Sequence, residues 1–151
     1  MFAGRIIALF VLVAAGALAP KCYYLRPLIS PEYGASSTTN DDHVVLKSEK
    51  LTKFDVVPGL KGFGTVSLKV VGSEKYLRHA NYIMRIHNYD ASELFSADAS
   101  FHLLKNCANG YMLQSLNYPN MAIKFDGQLL HLADMPPHPN NNFCWILTQQ
   151  W

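Results

Sequence analysis

Short stretches of alternating apolar and polar residues recur along the chain and are separated by turn-forming residues. The clearest example is residues 76–101, where Tyr76-Leu77-Arg78-His79-Ala80 and Ile83-Met84-Arg85-Ile86 flank a short turn. A two-residue period is typical of β-strands, and the turn between the two stretches predicts a hairpin. The pattern predicts a loop for residues 94–101, ending on an aromatic residue, and no helical period extends beyond a turn or two.

The same period predicts further strands on both sides of this hairpin. Asp126-Gly127 is a strong signal for a two-residue hairpin turn, and Pro58-Gly59 ends another strand. Residues 35–42 are small and polar and are predicted to form a loop. Many short strands joined by turns indicate an all-β barrel or sandwich. The predicted strands cover residues 22–28, 43–47, 54–57, 65–71, 101–104, 111–116, 121–125, 129–132 and 143–147.

The strand pattern repeats three times. Phe54, Phe101 and Phe143 each begin a strand, and each follows a strand, a turn and a further strand pair. A unit of about 45 residues cannot bury its apolar face alone, so the three units are expected to pack around a threefold axis. Six strands would then close a barrel and three hairpins would cap it, which is a β-trefoil. The predicted repeats are roughly residues 20–60, 61–107 and 108–151.

The first 19 residues are predicted to be a signal peptide and not part of the fold. Arg5 is followed by an uncharged apolar run, and Ala17-Leu18-Ala19 supplies the small residues that signal peptidase requires. The apolar run is short for a membrane span, which needs about 20 residues. We therefore expect residues 20–151 to be a secreted single domain without a membrane span.

Charge and cysteine content narrow the possible partners and compartments. The formal net charge is +2, including Arg5, and no Lys/Arg cluster is present, so a nucleic-acid partner is not expected. Three cysteines in an oxidising compartment allow one internal disulfide and leave one thiol. Cys22 and Cys144 lie near opposite ends of the chain, which closed β folds often bring together, and they are the predicted pair.

Several motifs of the middle and third repeats resemble a known family. Tyr76-Leu77-Arg78-His79, Leu94-Phe95-x-Ala97-Asp98-Ala99-Ser100-Phe101 and Asn117-Tyr118-Pro119 are similar to the repeats of the arabinofuranose-binding β-trefoil domain of α-L-arabinofuranosidase B. That domain is the family 42 carbohydrate-binding module. The resemblance is clear from residue 54 to residue 125 and weaker at both ends.

The resemblance implies a non-catalytic domain that binds terminal arabinofuranose-like sugars. In that family the His and Asp of the two longer motifs contact the sugar hydroxyls, and the matching residues here are His79 and Asp98. A carboxylate accepts hydrogen bonds from hydroxyls and an imidazole nitrogen donates or accepts one. Tyr76 or Phe95 is predicted to give the sugar an apolar wall, and Asn81 to contribute an amide. The expected partner is a glycan.

The other two repeats depart from the family pattern. Lys124-Phe125 replaces the Arg-His pair in the third repeat, and Asn140-Asn141-Asn142 stands where the Asp is expected. In the first repeat Gly34-Ala35-Ser36 aligns with Leu-Arg-His. At most one sugar pocket is therefore expected. The alternative is a trefoil that has lost sugar binding and acts through contact with a protein partner, with residues 135–142 as a candidate contact loop.

Catalysis and metal binding are not expected. A hydrolase needs paired carboxylates, or a nucleophile with its base, and Asp98 has no acidic neighbour at a matching spacing. The histidines lack the spacing of zinc ligands, so neither a metal site nor a cofactor is predicted. His79 and Asp98 also have a structural interpretation, in which their hydrogen bond braces the hairpin.

Overall fold

Twelve β-strands, one short helix and one 3₁₀ turn make up the part of the chain that the computed structural model describes, which is residues 22–38, 42–138 and 140–149. The predicted signal peptide, residues 1–19, lies outside the described residues. The elements in chain order are β1 (Cys22–Pro27), β2 (Gly34–Ser37), β3 (Val44–Lys47), β4 (Phe54–Pro58), β5 (Val66–Val70), β6 (Lys75–Ala80), β7 (Ile83–Asn88), α1 (Glu93–Asp98), β8 (Phe101–Cys107), β9 (Gly110–Ser115), β10 (Met121–Asp126), β11 (Leu129–Asp134), the 3₁₀ turn (Asn141–Phe143) and β12 (Trp145–Gln149).

Six of these strands close a barrel. Antiparallel pairs run in the order β1, β4, β5, β8, β9 and β12, and β12 pairs back to β1. The hairpins β2–β3, β6–β7 and β10–β11 lie outside this ring and contact one another through β3, β7 and β11. This is the β-trefoil that the threefold pattern predicts.

The register of the barrel strands identifies equivalent positions in the three repeats. Tyr23 pairs with Phe54, Val66 with Phe101, and Tyr111 with Trp145. Trp145 is therefore the third-repeat counterpart of Phe54 and Phe101, and the assignment of Phe143 to that position is wrong by two residues. The 3₁₀ turn Asn141–Phe143 takes up those two residues before β12 begins.

The barrel and the hairpins share one apolar core. Phe54, Phe101 and Trp145 are at most 1% exposed and pack there with aliphatic side chains from every repeat. The Trp145 indole donates a hydrogen bond to the Ile123 carbonyl at 3.0 Å, so its polar atom is satisfied inside the core. Burial of each aromatic side chain stabilises the fold by about 1.5–3 kcal/mol.

Two segments predicted as loops have regular structure. Residues 94–101 include most of α1, which begins after Ser92, whose Oγ accepts a hydrogen bond from the Phe95 backbone N–H. Six helical residues are too few to show a 3.6-residue period. Gly34–Ser37 forms β2 by pairing with β3, although glycine and serine carry little strand propensity. Within the described residues no helix combines the length and the apolar character of a membrane span.

The disulfide joins Cys107 to Cys144, with a Cα–Cα distance of 5.9 Å, and the predicted Cys22–Cys144 pair is wrong. Tyr23 pairs with Gln149 and Pro27 with Trp145, so Cys22 lies beside the far end of β12 from Cys144. Cys22 lies six residues along the chain from Leu28, whose N–H donates to the Cys144 carbonyl, and this separation of roughly 20 Å is well beyond the reach of a disulfide. Cys22 is a partly buried free thiol.

Candidate functional site

Side chains from two repeats converge on the carboxylate of Asp98. Arg78 Nη2 lies 2.5 Å from Oδ2, and Asn117 Nδ2 donates to Oδ1 at 2.6 Å. His79 Nε2 lies 3.3 Å from the same Oδ1. The structure therefore brings together the two residues that the sequence singled out, and it adds Arg78 and Asn117 to them. We call these four residues the Asp98 cluster.

Local structure explains how the cluster forms. Arg78 and His79 are consecutive on β6, so their side chains leave opposite faces of the strand and approach Asp98 from two sides. Asp98 is the last residue of α1. Asn117 follows β9, the first strand of the third repeat, and the neighbouring Leu116 N–H donates to the Ser100 carbonyl at 3.1 Å. The cluster thus lies at the junction of the second and third repeats.

Burial sets the charge state of His79. Its side chain and that of Asp98 are 4% and 6% exposed. This burial lowers the pKa of His79, Asp98 opposes the shift, and Arg78 adds to it. The imidazole is therefore neutral at pH 7, because its ordinary value is already about 6.5. With Nε2 lying 3.3 Å from a carboxylate oxygen, the favoured tautomer carries the proton on Nε2, where the charge of Asp98 stabilises it.

Ser115 completes the buried side of the site but does not form a nucleophilic triad. Its Oγ lies 3.5 Å from His79 Nε2 and accepts a hydrogen bond from the Tyr118 backbone N–H at 3.1 Å. In a Ser-His-Asp triad the serine and the carboxylate bind different ring nitrogens. Here both groups face Nε2, so the histidine cannot relay a proton between them.

Aromatic side chains pack against the Arg78 guanidinium. The Arg78 guanidinium carbon lies 4.6 Å from the centroid of the Phe95 ring, and Phe95 packs edge-to-face against Tyr76 and Tyr89. Tyr76 is 7% exposed. The structure thus places Tyr76, which was expected to line a sugar pocket, in the packing beneath the Asp98 cluster.

Two tyrosine rings lie at the surface beside the cluster. The Tyr118 ring centroid is 5.4 Å from that of His79 and 5.4 Å from that of Tyr82. Tyr82 and Tyr118 are 49% and 41% exposed. Tyr82 and Asn81 form the two-residue turn between β6 and β7, and both have positive φ, as in a type I′ hairpin turn. Asn81 is exposed at this turn.

Arg78, Tyr82 and Asn117 were not among the predicted site residues. The Asn117-Tyr118-Pro119 motif was recognised only as part of the family resemblance. Threefold symmetry was the signal that could have found these residues, because it places the start of one repeat beside the hairpin of the repeat before it.

Strand register shows what stands at the equivalent places in the other repeats. His79 lies opposite Met84 in its hairpin, and the corresponding residues are Ser37, opposite Val44, and Phe125, opposite Leu130. In the first repeat the family motif therefore aligns one residue later than expected. Asp98 lies three residues before Phe101, and the residues three before Phe54 and Trp145 are Leu51 and Asn142. Among the described residues the Arg-His-Asp arrangement thus occurs in the middle repeat alone.

A second charged group ties the segment before β3 to β7. Asp42 Oδ1 lies 2.9 Å from Arg85 Nη1, and its other oxygen is bonded to His87 Nε2. The pKa of Asp42 is lowered to about 2, mainly by the hydrogen bond from His87 and to a smaller degree by Arg85. No group of three or more His, Cys, Asp or Glu side chains placed to hold a metal ion occurs in the described part of the chain.

Solved structures with a similar fold include longer enzymes and a designed trefoil. One is a family 54 α-L-arabinofuranosidase, an E221Q mutant soaked with 4-nitrophenyl α-L-arabinofuranoside. It is 18% identical to this chain, with a TM-score of 0.72, and the match covers 90% of this chain and 32% of the enzyme chain. An arabinofuranosidase complexed with arabinofuranosyl-α-1,2-xylobiose matches with the same score and identity over 87% of this chain and 31% of its own. ThreeFoil, a designed threefold-symmetric protein, is 16% identical with a TM-score of 0.66 over 85% of this chain and 99% of its own.

These likenesses show the fold, and this chain spans about a third of the two arabinofuranosidase chains. A comparison with curated protein sequences found no match. The sequence profile of the α-L-arabinofuranosidase B domain matches residues 31–144, which is most of the chain. The protein therefore belongs to the α-L-arabinofuranosidase B domain family, a family of carbohydrate-binding β-trefoil domains.

Proposed function

We propose that the protein is a secreted, non-catalytic lectin-like domain that binds one terminal arabinofuranose-like sugar at the Asp98 cluster. The observation that carries this proposal is the convergence of Arg78, His79 and Asn117 on one carboxylate beside two exposed tyrosine rings. Polar groups held in fixed positions next to aromatic surface are what a small polar ligand with an apolar face requires.

The chemistry of the cluster matches sugar hydroxyls. A carboxylate has about four lone-pair positions; Arg78 and Asn117 donate to two of them, and His79 Nε2 faces a third at 3.3 Å. A hydroxyl can take the fourth position as a donor. Neutral His79 retains an unprotonated Nδ1, and Tyr118 adds a partly exposed ring against which the sugar can pack.

One pocket binds weakly. For a single monosaccharide we expect a dissociation constant of about 1 mM, which corresponds to roughly 4 kcal/mol of binding free energy. Detection of such binding therefore requires several copies of the domain on one support, where linked sites raise the effective affinity. The Cys107–Cys144 disulfide supports secretion, because disulfides persist in oxidising compartments.

The competing interpretation is a trefoil that no longer binds sugar and acts by protein contact. The burial of both His79 and Asp98 favours it, because their 3.3 Å contact also braces α1 against β6. In that case the exposed residues around the 3₁₀ turn, in the predicted contact loop 135–142, would carry binding.

A glycan array probed with the clustered protein separates the two interpretations. The matched variants are His79→Phe, which installs the residue found at the equivalent Phe125 position, and His131→Ala, which removes a partly buried histidine from the third repeat. The lectin interpretation expects wild type and the His131 variant to bind terminal arabinofuranosides and the His79 variant to lose that binding. Native circular dichroism with no glycan bound by wild type would contradict it.

A further inference from the structure

Phe63 is the most exposed large apolar side chain in the described part of the protein, with a relative exposure of 103%. It lies in the connection between β4 and β5, within Gly62-Phe63-Gly64. The ring contributes nothing to the apolar core, so its place on the surface has no explanation in the stability of the fold.

The loop that carries Phe63 is braced. The Gly59 N–H donates to the Thr65 carbonyl at 2.9 Å, and Thr65 Oγ1 donates to the Lys61 and Gly62 carbonyls at 2.6 and 2.9 Å. Gly62 and Gly64 have φ values of 87° and 73°, where glycine is favoured over other residues. A loop closed by these bonds presents the aromatic ring with little conformational freedom left to lose on binding.

Two independent contacts place this loop beside the Asp98 cluster. The Lys61 N–H donates to Ser100 Oγ at 3.0 Å, and Ser100 is two residues beyond Asp98. A Cβ on Gly62 would lie 3.1 Å from both Leu116 methyl groups, and Leu116 immediately precedes Asn117. The Phe63 loop therefore borders the Asn117 side of the cluster.

We propose that Phe63 is a stacking subsite for the sugar unit next to the terminal furanose. This inference rests on the proposed function. Aromatic rings pack against the apolar C–H faces of sugars, and the Lys61–Glu93 ion pair, at 2.9 Å, offers donors and acceptors to hydroxyls at the edge of such a unit. The ligand class is then a furanosyl side chain on a longer glycan, and a free monosaccharide would occupy only half of the site.

The surroundings of Phe63 favour a glycan over a lipid or a protein. Lys61 is neutralised by Glu93, so the loop lacks the cluster of positive charge that attracts anionic membranes. Protein interfaces bury clustered anchors, whereas residues 59–65 carry Phe63 as their one aromatic side chain, and the exposed Leu94 lies on α1 next to Glu93 of this ion pair. Leu94 supplies a matched control.

The test measures binding of two ligands by titration calorimetry or by ligand-observed NMR. Methyl α-L-arabinofuranoside can fill the Asp98 cluster alone, whereas arabinofuranosyl-α-1,2-xylobiose also reaches beyond it. We expect Phe63→Ala to weaken binding of the trisaccharide about tenfold, as the loss of one aromatic contact does. The dissociation constant of the methyl furanoside should change less than about twofold, because that ligand does not reach Phe63. Phe63→Tyr and Leu94→Ala should match wild type on both ligands.

Several results would overturn the subsite. If wild type binds both ligands and Phe63→Ala matches it on both, the subsite is refuted while the proposed function stands. If Phe63→Ala and Leu94→Ala weaken binding alike, the effect belongs to a general apolar surface. If Phe63→Ala instead abolishes self-association in sedimentation velocity, the ring is a contact between copies of the chain. If wild type binds neither ligand, the subsite and the proposed function fall together.

Discussion

Replacement of Asp98 by alanine is expected to destabilise the protein strongly, whatever it does to ligand binding. The side chains of Asp98 and Arg78 are 6% and 14% exposed and lie 2.5 Å apart. Removal of one partner of a buried ion pair costs about 3–5 kcal/mol, because the other charge remains buried without compensation. Asn117 also loses its acceptor.

The magnitude can be set against the stability of the whole domain. Domains of this size are stable by about 5–15 kcal/mol, so the variant should fold, but with a large part of its stability lost. With a denaturant slope of about 4 kcal/mol/M, the midpoint in guanidinium chloride should fall by about 1 M. Asp98→Asn keeps one acceptor oxygen and should lose less stability than the alanine variant.

Equilibrium unfolding followed by the fluorescence of Trp145, which is buried in the core, provides the assay. Asp134→Ala is the control, since this residue is exposed in the third repeat and its loss should change the unfolding free energy by less than about 0.5 kcal/mol. A loss below about 1 kcal/mol for Asp98→Ala would refute the buried ion pair. It would also mean that any loss of ligand binding in Asp98 variants comes from the binding site itself and not from unfolding.

Two further predictions concern stability. Replacement of Cys107 and Cys144 by serine opens a loop with a sequence separation of 37 residues and should lower the free energy of unfolding by about 4 kcal/mol. Cys22→Ser should have little effect on the same measurement, and equal losses would contradict the Cys107–Cys144 pairing. The folded pKa of Asp42, about 2, lies below its ordinary value of 3.8, so its stabilising contribution is complete above pH 3.8 and is lost as the pH falls towards 2. Asp42→Asn should therefore reduce the loss of unfolding free energy between pH 3.8 and pH 2 by about 1 kcal/mol, a small value because solvent screens this partly exposed ion pair. An acid-unfolding profile identical to that of wild type would contradict this.

The sequence predicted the β-trefoil because its strands are short, alternate cleanly and repeat three times. It missed α1, since six residues cannot show a helical period and the Ser92 cap identifies the helix only once the backbone is known. Phe143 was assigned to the position that Trp145 occupies, because a strand pattern looks the same when shifted by two residues.

The candidate site was predicted in part. His79 and Asp98 came from the family resemblance, and the structure brings them together. Asn117 was missed because it contacts Asp98 across the boundary between two repeats, which no local pattern in the sequence records. The disulfide was mispredicted for a similar reason: the direction of β1 relative to β12 decides which cysteine can reach Cys144, and chain position alone does not contain that information.

The central claim is that the Asp98 cluster binds a terminal furanose. Its most direct test is an NMR titration of the isotope-labelled protein with methyl α-L-arabinofuranoside, which detects binding in the millimolar range and locates it. The account predicts concentration-dependent shifts of the Asn117 side-chain amide, the Arg78 guanidinium and the His79 imidazole, with the loop at residues 135–138 unchanged. Saturating sugar that leaves these three groups unmoved would contradict it.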